Sequence, residues 1–292
     1  MRVAVIGLGT MGCPMAKNLL SKGFEVRVHN RTREKEIPLE GLGARRAASP
    51  AEAAAGADVT LTCVSDTPDV EAVLLDPGTG AIQGMSEGSL VIDCSTISPD
   101  ATRDFANRFG EIGVGYVDAP VSGGSEGAEN ATLAIMCGGS EEDFERALPV
   151  LQAIGRNITH VGPTGSGQVA KAVNQVVIAG TYLSVAEGLT LAAKSGVDPQ
   201  AVVEAIRGGA AASWVLDNRS RNMIRNSYPL GFRLQLHRKD LGIALNAAES
   251  SGVALRLARL VADLEDHLID EGFGDEDMSA IARRVRKESQ WD

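Results

Sequence analysis

Residues 7 to 12 read Gly7-Leu8-Gly9-Thr10-Met11-Gly12, three glycines at fixed spacing between two different hydrophobic patterns. Ahead of them, Val3 to Ile6 is a short apolar run. Behind them, Pro14 to Lys22 carries Met15, Ala16, Leu19 and Leu20 at helical spacing. A strand that turns into a helix over so few residues needs glycine for separate reasons. Gly7 permits the tight turn, Gly9 lets a ligand approach the backbone, and Gly12 lets the helix lie close on the strand. The helix start then presents unpaired N–H groups and the positive end of its dipole, which suit an anion. A glycine-rich turn of purely structural use is the alternative. The flanking strand and helix, with a second strand to follow, favour a site for the diphosphate of a dinucleotide.

The pattern after this motif repeats. Strands are expected at Val3 to Ile6, Glu25 to His29, Val59 to Cys63, Leu90 to Asp93, Tyr116 to Asp118 and Thr132 to Cys137. Helices are expected between them at Pro14 to Lys22, Pro50 to Gly56, Thr67 to Leu75 and Pro99 to Phe109, with another at Glu141 to Ile154. Such alternation predicts βαβ units and a mostly parallel sheet, an α/β Rossmann dinucleotide-binding domain. From Gly165-Ser166-Gly167 a helical stretch runs to about Ala193, and after the turn at Gly196-Val197-Asp198-Pro199 only helical periodicity remains. The expected division is therefore 1–163 for the Rossmann domain and 164–292 for an all-α domain. A length of 292 residues agrees with two domains at about 150 residues each.

Composition excludes several alternatives. A formal charge of -10 argues against a nucleic-acid partner, which calls for a basic face. The single cysteines Cys13, Cys63, Cys94 and Cys137 form no CxxC pair, so neither a metal site nor a disulfide framework is expected. The apolar stretch Val169 to Ala193 is broken by Lys171, Asn174, Gln175 and Glu187, and the chain opens directly into a strand with no apolar leader. No membrane association and a cytoplasmic setting are the expectation. There is no Ser-His-Asp order, no paired carboxylate loop and no P-loop.

The second strand ends Val28-His29-Asn30-Arg31-Thr32-Arg33. A site for NAD usually carries an acid here for the ribose 2′-hydroxyl. Here Arg31 and Arg33 offer guanidinium groups and Thr32 a hydroxyl, which favours a 2′-phosphate and hence NADP over NAD. Two further loops, around Val64-Ser65 and Ser95-Thr96, follow strands where ligands of open α/β sheets gather. The turn Ser122-Gly123-Gly124 offers a hydroxyl and backbone N–H groups to a carboxylate, though an ordinary turn would look the same. Lys171 lies among Val169, Ala170, Ala172 and Val173, with Asn174 and Gln175 on its helix face. Burial disfavours a charged lysine, which would let it exchange a proton with a substrate hydroxyl near neutral pH. A lysine whose stem packs while its head reaches water is the equal alternative. In Phe232 to Leu241, His237 reads as a packed or surface histidine.

Taken together, these residues resemble the β-hydroxyacid dehydrogenase family. The resemblance rests on Val5 to Gly12 continued by Pro14-Met15-Ala16-Lys17-Asn18-Leu19, on Asp118 to Gly124, on Gly165 to Gln175 and on Lys239-Asp240-Leu241. It spans nearly the whole chain, and it implies roles position by position. Lys171 would be the general acid/base. Ser122, Gly123 and Gly124 would hold the substrate carboxylate. Asn174 would orient the substrate, and Lys239 would close the site and also reach the cofactor. Gly7 through Gly12 (with Leu8, Thr10 and Met11), Asn30, Arg31, Thr32, Arg33, Val64, Ser65 and Thr96 would bind NADP. Several family members carry Asn four residues after the lysine, where this chain has Gln175, so either Asn174 or Gln175 would contact substrate. That version resembles the tartronate semialdehyde reductases and implies a small carboxylate-bearing semialdehyde as substrate. Members of the family commonly form homodimers or homotetramers.

Overall fold

The computed structural model describes residues 1–291 and divides into two compact units, Met1–Lys171 and the remainder from Ala172. The strands of the first unit are β1 (Arg2–Ile6), β2 (Glu25–His29), β3 (Arg45–Arg46), β4 (Val59–Thr62), β5 (Leu90–Asp93), β6 (Gly115–Asp118), β7 (Val121–Ser122), β8 (Leu133–Gly138) and β9 (Gly155–Gly162). Its helices are α1 (Gly12–Ser21), α2 (Ile37–Glu40), α3 (Pro50–Ala54), α4 (Thr67–Leu75), α5 (Pro99–Gly110), α6 (Gly124–Glu129) and α7 (Glu141–Ile154). The parallel part of the sheet runs β3-β2-β1-β4-β5-β6. β7 continues β6 in the same register against β8, both antiparallel to it, and β9 lies parallel to β8.

Strand residues alternate between two cores, as a period of two requires when helices cover both faces. Val3 and Val5 of β1 and Leu90 and Ile92 of β5 pack in one core with Met15, Leu19 and Leu151. Ala4, Ile6 and Val91 point the other way, towards Val70, Leu74, Phe105 and Phe109. The order reverses between β1 and β4. Ligands of such sheets gather beyond the strand ends at that reversal, and the glycine motif stands there.

The expected strands and helices of this unit are present to within about two residues, as alternation and capping chemistry dictate. The sequence carries no strand signal for β9, and the structure corrects the expectation there. β9 pairs with β8 alone, and most of its side chains are exposed. Arg156, Asn157 and Thr159 therefore replace the apolar run that marks a central strand. β3 and β7 are two-residue strands, too short to show periodicity.

The helix α8 (Ser166–Lys194) begins in the first unit and continues into the second. By length and composition it could span a bilayer, but half of its apolar window is buried, and the core helix of a soluble protein passes the same test. The second unit adds α9 (Pro199–Ile206), α10 (Trp214–Ile224), α11 (Leu234–Ser250), α12 (Arg256–Asp270) and α13 (Ile281–Glu288). Its core joins Ala179, Leu183 and Ala186 of α8 with Leu234, Leu241 and Leu245 of α11 and Val261 and Leu268 of α12. Few aromatics are available, so these helices approach on alanine and leucine surfaces.

Candidate functional site

The three motif glycines divide their work physically. Gly7 sits at φ +93°, and a Cβ there would collide with the Cys63 carbonyl. A Cβ at Gly12 would overlap the Gly7 carbonyl oxygen, so this glycine closes the helix onto the turn. Around Gly9 a Cβ would meet nothing within 4 Å. That glycine is needed by no protein neighbour, which is what an approaching ligand would require. Helices α4, α5 and α7 start at Asp66, Ser98 and Ser140, whose side chains accept first-turn N–H groups. α1 has no such cap and no acid in its first turn. The one helix start behind the glycine loop is left without a protein anion, and the residues present fit a dinucleotide diphosphate.

Asn30 ties this loop to the end of β2. Its Oδ1 accepts from Leu8 N–H at 2.8 Å, its Nδ2 donates to the Thr32 carbonyl at 2.8 Å, and its own N–H donates to Glu36 at 2.9 Å. The two arginines of the run differ. Arg31 is 94% exposed, with Asp69 at 3.8 Å. Arg33 turns inward, its Nη1 reaching His29 Nδ1, the Ala47 carbonyl and the buried Glu36 carboxylate. Arg46 meets the same carboxylate at 2.8 Å. Thr32 is exposed beside them.

The loops after β4 and β5 are joined by Ser95. Its hydroxyl accepts from Val64 N–H at 3.0 Å, and its own N–H donates to Asp93 Oδ1 at 2.9 Å. Asp93 is fully buried and accepts from the Tyr116 hydroxyl at 3.1 Å. Burial pushes its pKa up to about 6, against the hydrogen bonds from Ser95 and Tyr116. Ser65 is exposed and Thr96 half-buried at the same strand ends.

The start of α8 is anchored to these loops. Asp118, at the end of β6, accepts from Gly165 N–H at 2.8 Å and Gln168 N–H at 2.9 Å. Burial raises the Asp118 pKa, while those N–H groups favour the ionised form. The Gln168 side chain donates to the Ser95 carbonyl at 2.9 Å and accepts from Ile97 N–H at 3.1 Å. A Cβ on Gly167 would collide with the carbonyls of Met136 and Asp118, so glycine lets the helix press onto the sheet. Lys171 follows Gln168 by three residues on this fixed stem and is only 7% exposed. Ser122 is half-buried, and Gly123 and Gly124 open α6 at φ +135° and +64°. Asn18 holds α6 in turn, donating to the Ala128 carbonyl at 2.7 Å.

In the second unit Asn174 Nδ2 donates to Gln175 Oε1 at 2.8 Å, and Gln175 Nε2 donates to Asp240 at 2.5 Å. Lys239 pairs with Asp240 at 2.8 Å. Gln175 is fully buried and Asn174 half-buried. His237 is fully buried beneath them, as one of the two sequence readings allowed.

Sequence reasoning missed Asp93, Asp118, Gln168 and Asp240 as organising residues. Asp93 and Asp118 did carry a signal, since each is the one acid at the end of a short, otherwise uncharged strand. Gln168 and Asp240 stood inside motifs of the resemblance, but nothing local gave their contacts, because Ser95, Ile97 and Gln175 lie tens of residues away in the chain.

Two family models match in order along the chain. The NAD binding domain of 6-phosphogluconate dehydrogenase covers residues 2–162, and the NAD-binding domain of NADP-dependent 3-hydroxyisobutyrate dehydrogenase covers residues 165–285. The 2-hydroxy-3-oxopropionate reductase of Escherichia coli is 38% identical over 98% of this chain and 97% of its own. The NAD-dependent L-serine dehydrogenase of Pseudomonas aeruginosa is 36% identical over 97% of each. Among solved structures, the Mycobacterium tuberculosis 3-hydroxyisobutyrate dehydrogenase with L-serine superposes with a TM-score of 0.89 at 32% identity, over 98% of this chain and 99% of that one. With a dinucleotide cradle, the ordered motifs and relatives matched end to end, the chain belongs to the β-hydroxyacid dehydrogenase family and is an NAD(P)-dependent dehydrogenase acting on hydroxyacids.

Proposed function

We propose that the enzyme reduces a small carboxylate-bearing semialdehyde with NADPH, and oxidises the corresponding β-hydroxyacid in reverse, with Lys171 as general acid/base. The observation that carries this reading is the nearly buried Lys171 on a helix stem that Asp118 and Gln168 hold to the Ser95 loop. A proton donor so constrained contributes by position as much as by acidity. The bound nicotinamide supplies or accepts the hydride. Lys171 Nζ gives a proton to the aldehyde oxygen in reduction and takes it from the hydroxyl in oxidation. Ser122 and the N–H groups of Gly123 and Gly124 hold the substrate carboxylate, and Asn174 or Gln175 orients the carbon bearing oxygen. Gly7 through Gly12 hold the diphosphate. Arg31, with Thr32 and Asn30, takes the ribose 2′-phosphate. The similarity to the Escherichia coli 2-hydroxy-3-oxopropionate reductase supports a three-carbon semialdehyde.

The test is an initial-rate panel with NADPH and NADH over tartronate semialdehyde, methylmalonate semialdehyde, succinic semialdehyde and glyoxylate. Turnover of one acid-bearing aldehyde, faster with NADPH, is expected. Lys171→Ala lowers kcat by about 100-fold or more with cofactor still bound, and Arg31→Asp moves the preference towards NADH. Silence across the panel with NADPH bound, or a fully active Lys171→Ala variant, overturns the reading.

A further inference from the structure

His237 is 0% exposed, and both of its ring nitrogens face oxygen. Nδ1 lies 2.6 Å from Glu265 Oε1 of α12, and Nε2 lies 3.4 Å from the backbone carbonyl of Gln175 on α8. Only a ring protonated at both nitrogens can donate in both directions. Glu265 is also fully buried, and its other oxygen accepts no hydrogen bond among the described residues. Its charge therefore rests on His237. Asp240 on its own helix also acts on the imidazole, and the Phe232 ring lies nearly perpendicular to it with ring centroids 6.3 Å apart.

We propose that His237 and Glu265 form a buried ion pair that positions Gln175 and, through Asp240, the Lys239 ammonium, so that turnover depends on a charge held beneath the substrate residues. The proposal rests on the reading that Gln175 or Asn174 and Lys239 handle substrate. The chain of contacts is continuous within the helical unit. The imidazolium donates to the Gln175 carbonyl, the Gln175 side chain donates to Asp240, and Asp240 holds Lys239. If the ring loses a proton, either Glu265 loses its donor or the Nε2 lone pair faces the lone pairs of the Gln175 carbonyl. The second case is repulsive and pushes the Gln175 turn of α8 away from α11. Burial alone would lower the His237 pKa, but Glu265 and Asp240 outweigh it and hold the pKa above the ordinary histidine value. The working protonation state therefore extends above pH 6.5 and fails on the alkaline side.

The pair is a positioning device, and the test separates that from bulk stability. Glu265→Gln keeps the shape and an acceptor for Nδ1–H but removes the charge. In this variant kcat is expected to fall about tenfold at pH 8 and to recover towards wild type near pH 6, because the midpoint of the alkaline limb moves down. The dissociation constant for NADPH should not change. Glu265→Asp, which keeps the charge, should restore much of the alkaline rate. Imidazole nitrogen shifts of His237 read the protonation directly in wild type and variant. A loss in Glu265→Gln that is the same at every pH, or a wild-type His237 neutral at pH 7, overturns the positioning role alone. A wild-type enzyme inactive on the whole semialdehyde panel overturns the functional reading and this proposal with it.

Discussion

The two units assemble their functional groups from different materials. The first works mainly through the backbone. Three glycines shape the cofactor turn, and its buried carboxylates Asp93 and Asp118 hold main-chain N–H groups of Ser95, Gly165 and Gln168. The second works through side chains: His237 with Glu265, and Gln175 with Asp240 and Lys239. Backbone sites are held by the strand ends they follow, and at Gly7, Gly12 and Gly167 they leave no room for a Cβ. Side-chain sites are held by charge, so their geometry answers to protonation. The difference teaches where each unit is most fragile, by added volume at the glycines of the first and by loss of a proton at His237 in the second.

The sharpest break of this comparison is Gly12→Val. Its side chain would occupy the space of the Gly7 carbonyl, and the Rossmann unit is expected to lose about 4 kcal/mol or more. Thermal melting checks it, and an unchanged Tm would show that the backbone cradle yields to the added side chain. Asp118→Ala leaves buried N–H groups of Gly165 and Gln168 unpaired, at a cost of about 2–3 kcal/mol. The variant should also lose kcat, since the stem bearing Lys171 is loosened. Melting with a parallel rate measurement reads both, and an active variant of wild-type stability would show that Asp118 does not hold the stem.

Gly9→Ala sharpens the comparison by sparing the fold. No protein atom lies where its Cβ would go, so the Tm should stay put while the dissociation constant for NADPH rises about tenfold, or about 1.4 kcal/mol. Unchanged affinity would mean that no ligand approaches that glycine.

The smallest effect is a pH slope. Asp93 has a pKa pushed up from 3.8 to about 6, so its stabilising contribution is full below about pH 4 and fades as pH rises through 6. Asp93→Asn should remove that part of the decline in Tm between pH 4 and 6. The His237 contribution has the same sign but is lost only above the ordinary histidine range. Melting curves for wild type and Asp93→Asn across pH 4 to 9 separate the two windows, and identical profiles would show that Asp93 does not titrate there.

Most of the first unit was legible in the sequence because its constraints are local. A glycine that prevents a collision five residues away, as Gly12 does with Gly7, leaves its mark within one motif. Likewise Val3 to Ile6 announces a strand buried on both faces, whereas β9 on the sheet edge carries polar residues and announces nothing. Lys171 stood out because a lysine among valines and alanines is locally anomalous. Its stem did not, since Gln168 reaches Ser95 and Ile97 across some seventy residues of chain.

The sequence by itself determined the βαβ alternation, the glycine turn, the basic run at Arg31 and the change to helices after Gly165. Each of these is written in residues that are neighbours in the chain and obey a fixed period. Only the tertiary structure decided that Arg33 turns inward to Glu36 while Arg31 faces solvent, that Asp118 caps the helix carrying Lys171, and that His237 is buried against Glu265. Those outcomes depend on which distant side chains meet with water excluded. Hydrophobic period fixes which face of an element is buried, but the pairing of buried charges depends on how the elements are packed together.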